Sequence, residues 1–275
     1  DISAFIRNLP NGKDTAHFST EDASGSTSQA ANTVEAVLAG SRTLLIDEDT
    51  STTNFMVRDA LMQRVIHPEQ EPIIPFLSRM RQLYDELGVS TILVAGSSGA
   101  FFHVSDTILQ MKEYKPLDIT ETAKAAAAEE SDAPEKPDAL TPFTDHRIAS
   151  QNRDVTDSRK VKVRGSGTDS VSLNHESVEL RFVEQVVDNE QTNLLGALLR
   201  TLEEQYFNGR DSLPKCVDSI YERLRKIGFA AACGQGSAGG RDAFSQQGSI
   251  PGNYAMVRPQ ELWAMVNRYR GLRLL

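Results

Sequence analysis

Leu44-Leu-Ile-Asp-Glu-Asp-Thr-Ser-Thr-Thr-Asn54 carries the strongest fold signal in the chain. Three aliphatic residues run directly into three carboxylates, and a short Ser/Thr/Asn loop follows. A continuous apolar run is typical of a central parallel strand that is buried on both faces. The acids then fall at the carboxyl end of the strand, the edge at which open α/β sheets bind ligands. Because adjacent carboxylates repel one another and lose hydration there, the pattern predicts a metal ion or another bound cation.

The neighbouring segments favour a parallel sheet with helices over the alternative, an ordinary buried strand that enters an acidic loop. The spacing of apolar residues predicts helices over Phe55–Ile66 and Phe76–Leu87, and Gly88 ends the second of them. Val89–Ala95 is predicted as a second buried strand, with Gly96-Ser-Ser-Gly99 as the loop beyond it. This order of helices and strands indicates right-handed βαβ units.

Ala23-Ser-Gly-Ser-Thr-Ser-Gln29 lies at the start of another predicted helix, whose apolar positions continue to Leu38 and which Gly40 ends. Free backbone N–H groups and the positive end of the helix dipole make such a start an anion site, and the hydroxyls add donors. A plain Ser/Thr N-cap is the alternative, but it would not need Gly25 or so many hydroxyls.

The composition excludes several classes of protein. The chain has 275 residues, 39% of them hydrophobic, and no run approaches the roughly 20 apolar residues that span a bilayer, so we expect no membrane contact. The net charge of −9 argues against nucleic-acid contacts over the whole surface, although a local basic groove is compatible with it. Cys216 and Cys233 fit no metal-ligand spacing and are predicted to be reduced core thiols.

The chain is predicted to contain two domains joined by a linker. We assign 1–116 to an α/β domain, 117–158 to a helical and proline-containing linker, and 159–275 to an α+β domain that caps the first or forms a dimer. The elements predicted outside the segments above are a strand over Val104–Met111, a small sheet with a hairpin around Val161, Val163, Val171 and Leu173, a mainly helical stretch over Val178–Phe207, and helices over Leu213–Ile227 and from Arg258 to Gly271.

Two groups of basic residues in the second domain are candidate nucleic-acid contacts. Arg159, Lys160, Lys162 and Arg164 form the first, and alternation places the last three on one face of a strand. Arg268, Arg270 and Arg273 form the second. A solvated face that balances an acidic protein is the alternative for each group.

Ser24-Gly25-Ser26, Leu44–Glu48 and Ser51–Asn54 together resemble the signature helix, the Walker B strand and the D-loop of ABC-type ATPases, which occur in that order. Ser24 precedes Asp47 by 23 residues (47 − 24), a spacing similar to that of the family. The flanking residues, together with Tyr114–Glu121, Val183–Asp188 and Arg258–Leu272, are similar to a divergent branch, the predicted ABC-class ATPases, which are stand-alone soluble proteins. Within that branch the chain resembles the trypanosomatid mitochondrial RNA-editing accessory ATPases.

The resemblance implies an α/β fold, in which the C-terminal portion of a P-loop ABC-type core with a mostly parallel sheet precedes a small α+β, mainly helical domain. It implies ATP or ADP and Mg²⁺ as cofactors. Asp47 would then orient Mg²⁺ through water, and Glu48 would position or deprotonate the attacking water. The trio Ser24, Gly25 and Ser26 would contact the γ-phosphate held by the partner in a homodimer, and Ser51 and Asn54 would lie across the dimer interface.

The sequence departs from the family pattern at two places. No G-x-x-x-x-G-K-[ST] sequence occurs, so we expect the Walker A loop on a segment N-terminal to Asp1. The switch histidine of the family would follow the Val89–Ala95 strand, where Gly96 and Ser97 stand instead. The second departure favours slow hydrolysis.

Two other functions compete with a slowly hydrolysing ATPase. One is a nucleic-acid-binding module in which the nucleotide is structural or regulatory, and the other is a scaffold with an inactive nucleotide site. The presence of both Asp47 and Glu48 argues against the scaffold. The resemblance also implies a role in RNA processing, with RNA or an RNA-processing complex as partner, and a mitochondrial location, with the cytoplasm as the alternative.

Overall fold

The computed structural model describes residues 1–7, 9, 12, 14–58, 65, 71–130, 134, 137–140, 143–156, 161–232 and 252–275. The chain forms two compact units, Asp1–Thr144 and Asp145–Leu275. Both contain helices and strands, which is compatible with the predicted α/β class. The boundary between the units lies inside the stretch 117–158, and each unit takes part of that stretch into its own helices and strands.

The first unit is built around one helix-covered pair of parallel strands. Its elements are α1 (Gly25–Leu38), β1 (Thr43–Asp47), α2 (Thr53–Met56), α3 (Phe76–Leu87), β2 (Ser90–Val94), a 3-10 helix (Gly99–His103), β3 (Leu109–Lys112), β4 (Lys115–Asp118) and α4 (Thr120–Glu129). The two strands β1 and β2 pair in parallel, as predicted, and Leu45 lies beside Ile92. Phe5, Phe55 and Phe76 form the aromatic centre of the core, with ring centroids 5.3–6.2 Å apart.

The prediction that β1 is buried on both faces is wrong for the described residues. Leu45 is 76% exposed, and its neighbours Ile92 and Val94 on β2 are 61% and 66% exposed. On the opposite face, Leu44 and Ile46 pack against the hydrophobic core. Side chains alternate along a strand, so a single covering layer buries only every second residue. In the described part of this unit, the sheet has two strands, and its core lies on one side of them.

Two other expectations for the first unit need correction or fall outside the described residues. The strand predicted over Val104–Met111 begins only at Leu109, because the 3-10 helix precedes it, and β3 pairs with β4 in a hairpin. Glu113 and Tyr114 have positive φ values of 49° and 63°, which is the backbone of a tight two-residue turn. Most of the helix predicted over Phe55–Ile66 lies outside the described residues. At the start of this range, the structure shows the short helix α2.

Where the structure describes it, the second unit contains two small antiparallel sheets and three helices of ten or more residues. Its elements are β5 (Ile148–Ser150), α5 (Arg153–Thr156), β6 (Val163–Ser166), β7 (Ser170–Leu173), β8 (Glu176–Glu179), α6 (Asn189–Thr201), a π-helix (Leu202–Tyr206), β9 (Asn208–Ser212), α7 (Leu213–Ile227), a 3-10 helix (Gly228–Ala231), α8 (Pro259–Arg268) and β10 (Arg273–Leu274). The sheet orders are β6-β7-β8 and β10-β5-β9. The predicted hairpin and the predicted helix over Leu213–Ile227 are confirmed.

The stretch Val178–Phe207 is less helical than predicted. Val178 and Glu179 are the last residues of β8, and the α-helix begins only at Asn189. Asp188 caps this helix, because its side chain accepts a hydrogen bond from Gln191 N. Cys216 is a free, buried thiol, whereas Cys233 lies outside the described residues. Among the helices that the structure describes, none is both long and apolar enough to cross a membrane.

Candidate functional site

Asp47 lies at the carboxyl end of β1, and its side chain is exposed. Its Oδ1 accepts a hydrogen bond from Asp49 N, and its Oδ2 accepts one from the Thr50 hydroxyl, each at 3.3 Å. The backbone carbonyl of Asp47 accepts a shorter bond of 2.7 Å from the Ser51 hydroxyl. These contacts fold the chain into a turn directly after the strand and leave the carboxylate of Asp47 at the surface.

Glu48 points toward the loop that follows β2. Its Oε2 accepts hydrogen bonds from Gly96 N at 3.0 Å and Ser97 N at 3.2 Å, and its Oε1 accepts one from the Ser97 hydroxyl at 3.0 Å. The Glu48 amide also donates to Val94 O at 2.9 Å, which joins the ends of the two strands. Desolvation raises the pKa of Glu48, but the hydrogen bonds from Ser97 and Gly96 outweigh it and lower the pKa below its usual value.

Asp47, Glu48 and Asp49 do not form a cluster of direct metal ligands at the end of β1. Among the described residues, no group of three or more His, Cys, Asp or Glu side chains could hold a metal ion. The physical reason is that protein donors satisfy the first two carboxylates separately, Asp47 within its own turn and Glu48 at the loop after β2. The three donors to Glu48 offset its charge, whereas Asp47 accepts only two long bonds of 3.3 Å and stays exposed.

The start of α1 combines exposed and buried residues of the predicted anion site. Ser24 is the N-cap, and its hydroxyl oxygen accepts from Thr27 N at 3.4 Å. Ser24 and Gly25 are exposed, whereas the side chain of Ser26 is buried. The amides of Gly25 and Ser26 lie in the first turn, where an α-helix supplies no acceptor of its own. Those amides, rather than the Ser26 hydroxyl, are the groups that this helix start offers to an anion.

Gln29 connects α1 to the loop after β1, a role that the sequence alone did not reveal. Its Nε2 donates to the Ser51 hydroxyl at 2.9 Å, and its Oε1 accepts from Thr52 N at 2.9 Å. A Cβ built at Gly25 would lie 2.8 Å from the Thr52 hydroxyl oxygen. Gly25 and Gln29 are four residues apart and therefore share one face of the helix. That spacing places both residues on one face, but it does not identify the segment that the face contacts.

The remaining predicted site residues are distributed as follows. Asn54 lies exposed in α2. Lys162 and Arg164 are exposed. Val161, which precedes Lys162, and Val163, which separates the two basic residues, are buried, so apolar and basic side chains alternate here as predicted. The other two members of that basic group, Arg159 and Lys160, lie outside the described residues. In the second basic group, Arg273 forms an ion pair with Asp154 at 3.2 Å, and Arg268 donates to Ala264 O at 3.0 Å.

Comparison with known proteins separates the same two parts of the chain. The family model described as the P-loop domain of ABC_ATPase matches residues 1–147, which is more than half of the chain. The model described as the MRB1590 C-terminal domain matches residues 162–275. No curated protein sequence matches the chain significantly. The first range contains α1, β1, the loop after β1 and the loop after β2, and the second contains Lys162 and Arg164.

Proposed function

Because the chain belongs to the ABC_ATPase family through its P-loop domain, we propose that it binds ATP with Mg²⁺ and hydrolyses the nucleotide slowly. The observation that carries this proposal is the placement of Asp47 and Glu48 side by side at the end of a strand in a parallel sheet. Ligands bind at that edge of α/β sheets. Phosphoryl transfer needs mainly positioning and charge compensation there, rather than covalent chemistry by the protein.

The residues at this edge fit different parts of the reaction. Asp47 fits a water-mediated contact with Mg²⁺, because its carboxylate is exposed and its hydrogen bonds of 3.3 Å are long. When bound, the metal ion compensates the charge of the phosphates. Glu48 fits the role of the group that orients the attacking water and accepts its proton, since its carboxylate is ionised at neutral pH.

We propose further that two chains close around two ATP molecules. In this arrangement, Ser24, Gly25 and Ser26 contact the γ-phosphate bound by the partner subunit, and Ser51 and Asn54 line the interface. The exposure of Ser24 and Gly25 at the start of α1 supports this role. Light scattering of the natural full-length protein should detect a dimer when ATP is bound to a Glu48→Gln variant. A Glu48→Gln variant that stays monomeric with ATP as well as without it would contradict the proposed dimer.

The Walker A lysine is proposed to lie N-terminal to Asp1. The 275 residues contain no G-x-x-x-x-G-K-[ST] sequence. The uncovered sheet face around Leu45, Ile92 and Val94 is compatible with additional protein packing there. Reading the gene upstream of Asp1 tests this directly, and the absence of a phosphate-binding loop in it would remove the main support for ATP hydrolysis.

Substitution of Glu48 tests the proposed reaction. In Glu48→Gln, the side chain keeps its size but can no longer accept a proton. We expect steady-state ATP turnover to fall by about 10²–10⁴-fold, the usual contribution of general base catalysis, while ATP affinity is retained. Glu129→Gln, an exposed residue at the end of α4, is the matched control and should leave turnover unchanged. Undiminished turnover in Glu48→Gln would contradict the assignment of the base.

A role in RNA processing is the second part of the proposal. The match of residues 162–275 to the MRB1590 C-terminal domain supports it, as do the exposed side chains of Lys162 and Arg164. Contacts of these cations with phosphates would make RNA binding weaken steeply with salt. A gel shift across salt concentrations should therefore show a shallower salt dependence for Lys162→Ala/Arg164→Ala than for the control Lys226→Ala. Absence of binding at low salt would exclude RNA as a direct partner. The expected partner would then be a protein of the RNA-processing machinery.

The proposed setting is mitochondrial and follows from the same resemblance of the second unit. Fluorescence microscopy of the tagged natural protein tests it. A diffuse cytoplasmic signal would contradict it.

A further inference from the structure

Glu48 is held by three donors that all belong to the loop after β2. Both amides of Gly96 and Ser97 donate to Oε2, and the Ser97 hydroxyl donates to Oε1. The three distances, 3.0, 3.2 and 3.0 Å, lie within the normal range for N–H···O and near the upper limit for O–H···O bonds. Among these donors, the hydroxyl is the one whose contribution a side-chain substitution can remove.

The loop that supplies the donors is itself fixed at both ends. On one side, the Glu48 amide donates to Val94 O at the last residue of β2. On the other side, Ser98 caps the 3-10 helix that follows, with its hydroxyl oxygen accepting from Ala100 N at 3.4 Å. The carboxylate of Glu48 is thus tied to an anchored segment.

This geometry limits what the carboxylate can do. Oε2 already accepts two bonds, which fills its two lone-pair positions, and Oε1 accepts one and has room for one more. Rotation of the carboxylate toward a new partner requires that the bond from the Ser97 hydroxyl and the two amide bonds break together. Hydrogen bonds to a charged group are stronger than those between neutral groups, so the bound orientation is favoured.

We propose that Ser97 is a positioning residue whose hydroxyl restrains the Glu48 carboxylate against the loop after β2 and thereby keeps hydrolysis slow. Movement of Gly96 and Ser97 releases Glu48 toward the attacking water. The effect on rate rests on the proposed ATPase function, whereas the restraint itself rests on the three hydrogen bonds to Glu48.

Amide hydrogen exchange tests the restraint without any turnover. In Glu48→Ala of the natural full-length protein, the amides of Gly96 and Ser97 lose their acceptor. We expect their exchange to accelerate by about tenfold or more, while the amide of Ala100, which donates to Ser98, keeps its rate. Unchanged exchange at Gly96 and Ser97 would overturn the proposal.

Steady-state kinetics test the effect on rate. Ser97→Ala removes one hydrogen bond to Glu48 and should raise kcat by about two- to tenfold, the effect of one such bond, with KM for ATP unchanged. Ser97→Thr retains the hydroxyl and should restore the low rate. Ser172→Ala removes a hydroxyl in the second unit, whose partner is Arg164 O, and should leave both constants unchanged.

The outcomes separate this inference from the proposed function. Suppose that Glu48→Gln abolishes turnover but Ser97→Ala does not raise kcat. This result would overturn the proposal that Ser97 keeps hydrolysis slow, and it would leave the ATPase proposal intact. Turnover that survives in Glu48→Gln would overturn the catalytic role of Glu48 and with it the effect of Ser97 on rate, whatever the exchange measurement gives.

Discussion

The β1–β2 sheet of the first unit and the β6–β7–β8 sheet of the second differ in how far their apolar side chains are buried. In the second unit, Val171, Leu173 and Val178 are fully buried on one face of an antiparallel sheet. In the first unit, a parallel pair of strands leaves Leu45 76% exposed on one face. Antiparallel sheets commonly have one solvated face, whereas parallel sheets are usually covered on both.

The difference lies in the sequence of the strands. In β6 and β7, apolar and polar residues alternate, so the face away from the core carries Arg164 and Ser172 and needs no cover. In β1 and β2, the apolar residues are continuous, so both faces are apolar and one helical layer covers only half of them. Continuous apolar strands are therefore typical of sheets that are covered on both faces, and alternating strands are typical of sheets with one solvated face.

The sharpest test of this comparison is the same substitution in both sheets. Threonine has nearly the shape of valine but adds a hydroxyl. In Val171→Thr, that hydroxyl is buried where the valine was fully buried, so the free energy of unfolding should fall by about 1–3 kcal/mol. Val94 is 66% exposed, so Val94→Thr should change the free energy of unfolding by no more than about 0.5 kcal/mol.

Urea unfolding of the chain measures the effect on the second unit, because the single tryptophan, Trp263, is buried in α8 and its fluorescence reports on that unit. Hydrogen exchange of the β1 and β2 amides measures the effect on the first. Equal effects of Val94→Thr and Val171→Thr on stability, whether large or small, would contradict the contrast between the sheets.

A second, smaller effect is expected from the closeness of α6 to its sheet. A Cβ built at Gly196 would lie 2.6 Å from Val163 Cγ1 and 3.1 Å from Val171 Cγ1. In Gly196→Ala, the overlap should outweigh the gain in helix propensity and lower the free energy of unfolding by about 1–2 kcal/mol, as monitored by Trp263 fluorescence.

The control for Gly196→Ala is a double-mutant cycle. Val163→Ala removes the closest methyl groups, so the cost of Gly196→Ala should largely disappear in that background. A cost that remains unchanged would mean that the helix does not rest on Val163. Gly25→Ala in the first unit is the counterpart, because it meets the rotatable Thr52 hydroxyl at 2.8 Å and should cost less stability.

The smallest expected effect concerns two glutamates whose pKa values move in opposite directions. Burial raises the pKa of Glu203, and the hydrogen bond from Asn152 N at 2.9 Å offsets this only in part. Within the described residues, Glu203 Oε1 and the Tyr269 hydroxyl are buried without a hydrogen bond of normal geometry. The loop after β2 instead holds the pKa of Glu48 below its usual value, because its donors outweigh desolvation.

The two shifts have opposite consequences for stability. A raised pKa in the folded state favours the protonated form, so the contribution of Glu203 is fully present below the ordinary pKa of glutamate and is lost as pH rises through the folded value. Glu203→Gln should remove this loss and stabilise the second unit at neutral pH by about 1 kcal/mol. Urea unfolding from acid to neutral pH, followed by Trp263 fluorescence, checks the result. A pH dependence equal to that of the natural chain would contradict the assignment.

Local patterns predicted several elements of both units. The hydroxyl-rich start of α1, the apolar run of β1, the amphipathic helix Phe76–Leu87 and the alternation around Val163 each depend on neighbours in sequence. Gly88 adopts φ of 65° at the end of that helix, as expected for a residue without Cβ. Such features are fixed within a few residues and are therefore visible in one sequence.

Contacts between distant segments could not be predicted in the same way. Whether Leu45 is covered depends on the rest of the fold, and the donors to Glu48 come from residues 48 and 49 positions later. The apolar residues from Val178 onward predict a helix, but Val178 and Glu179 pair with β7, and turns and irregular structure over 180–188 precede α6. The contact of Gln29 with Ser51 and Thr52 spans 22 and 23 positions and likewise requires the fold.

The Gln29 contact has a mechanical consequence. One amide side chain joins α1 to both Ser51 and Thr52, and Ser51 is joined in turn to the last backbone carbonyl of β1. These links couple the helix, the turn and the end of the strand. We therefore expect a displacement of α1 at Gln29 to move Ser51 and, through its hydroxyl, the backbone carbonyl of Asp47.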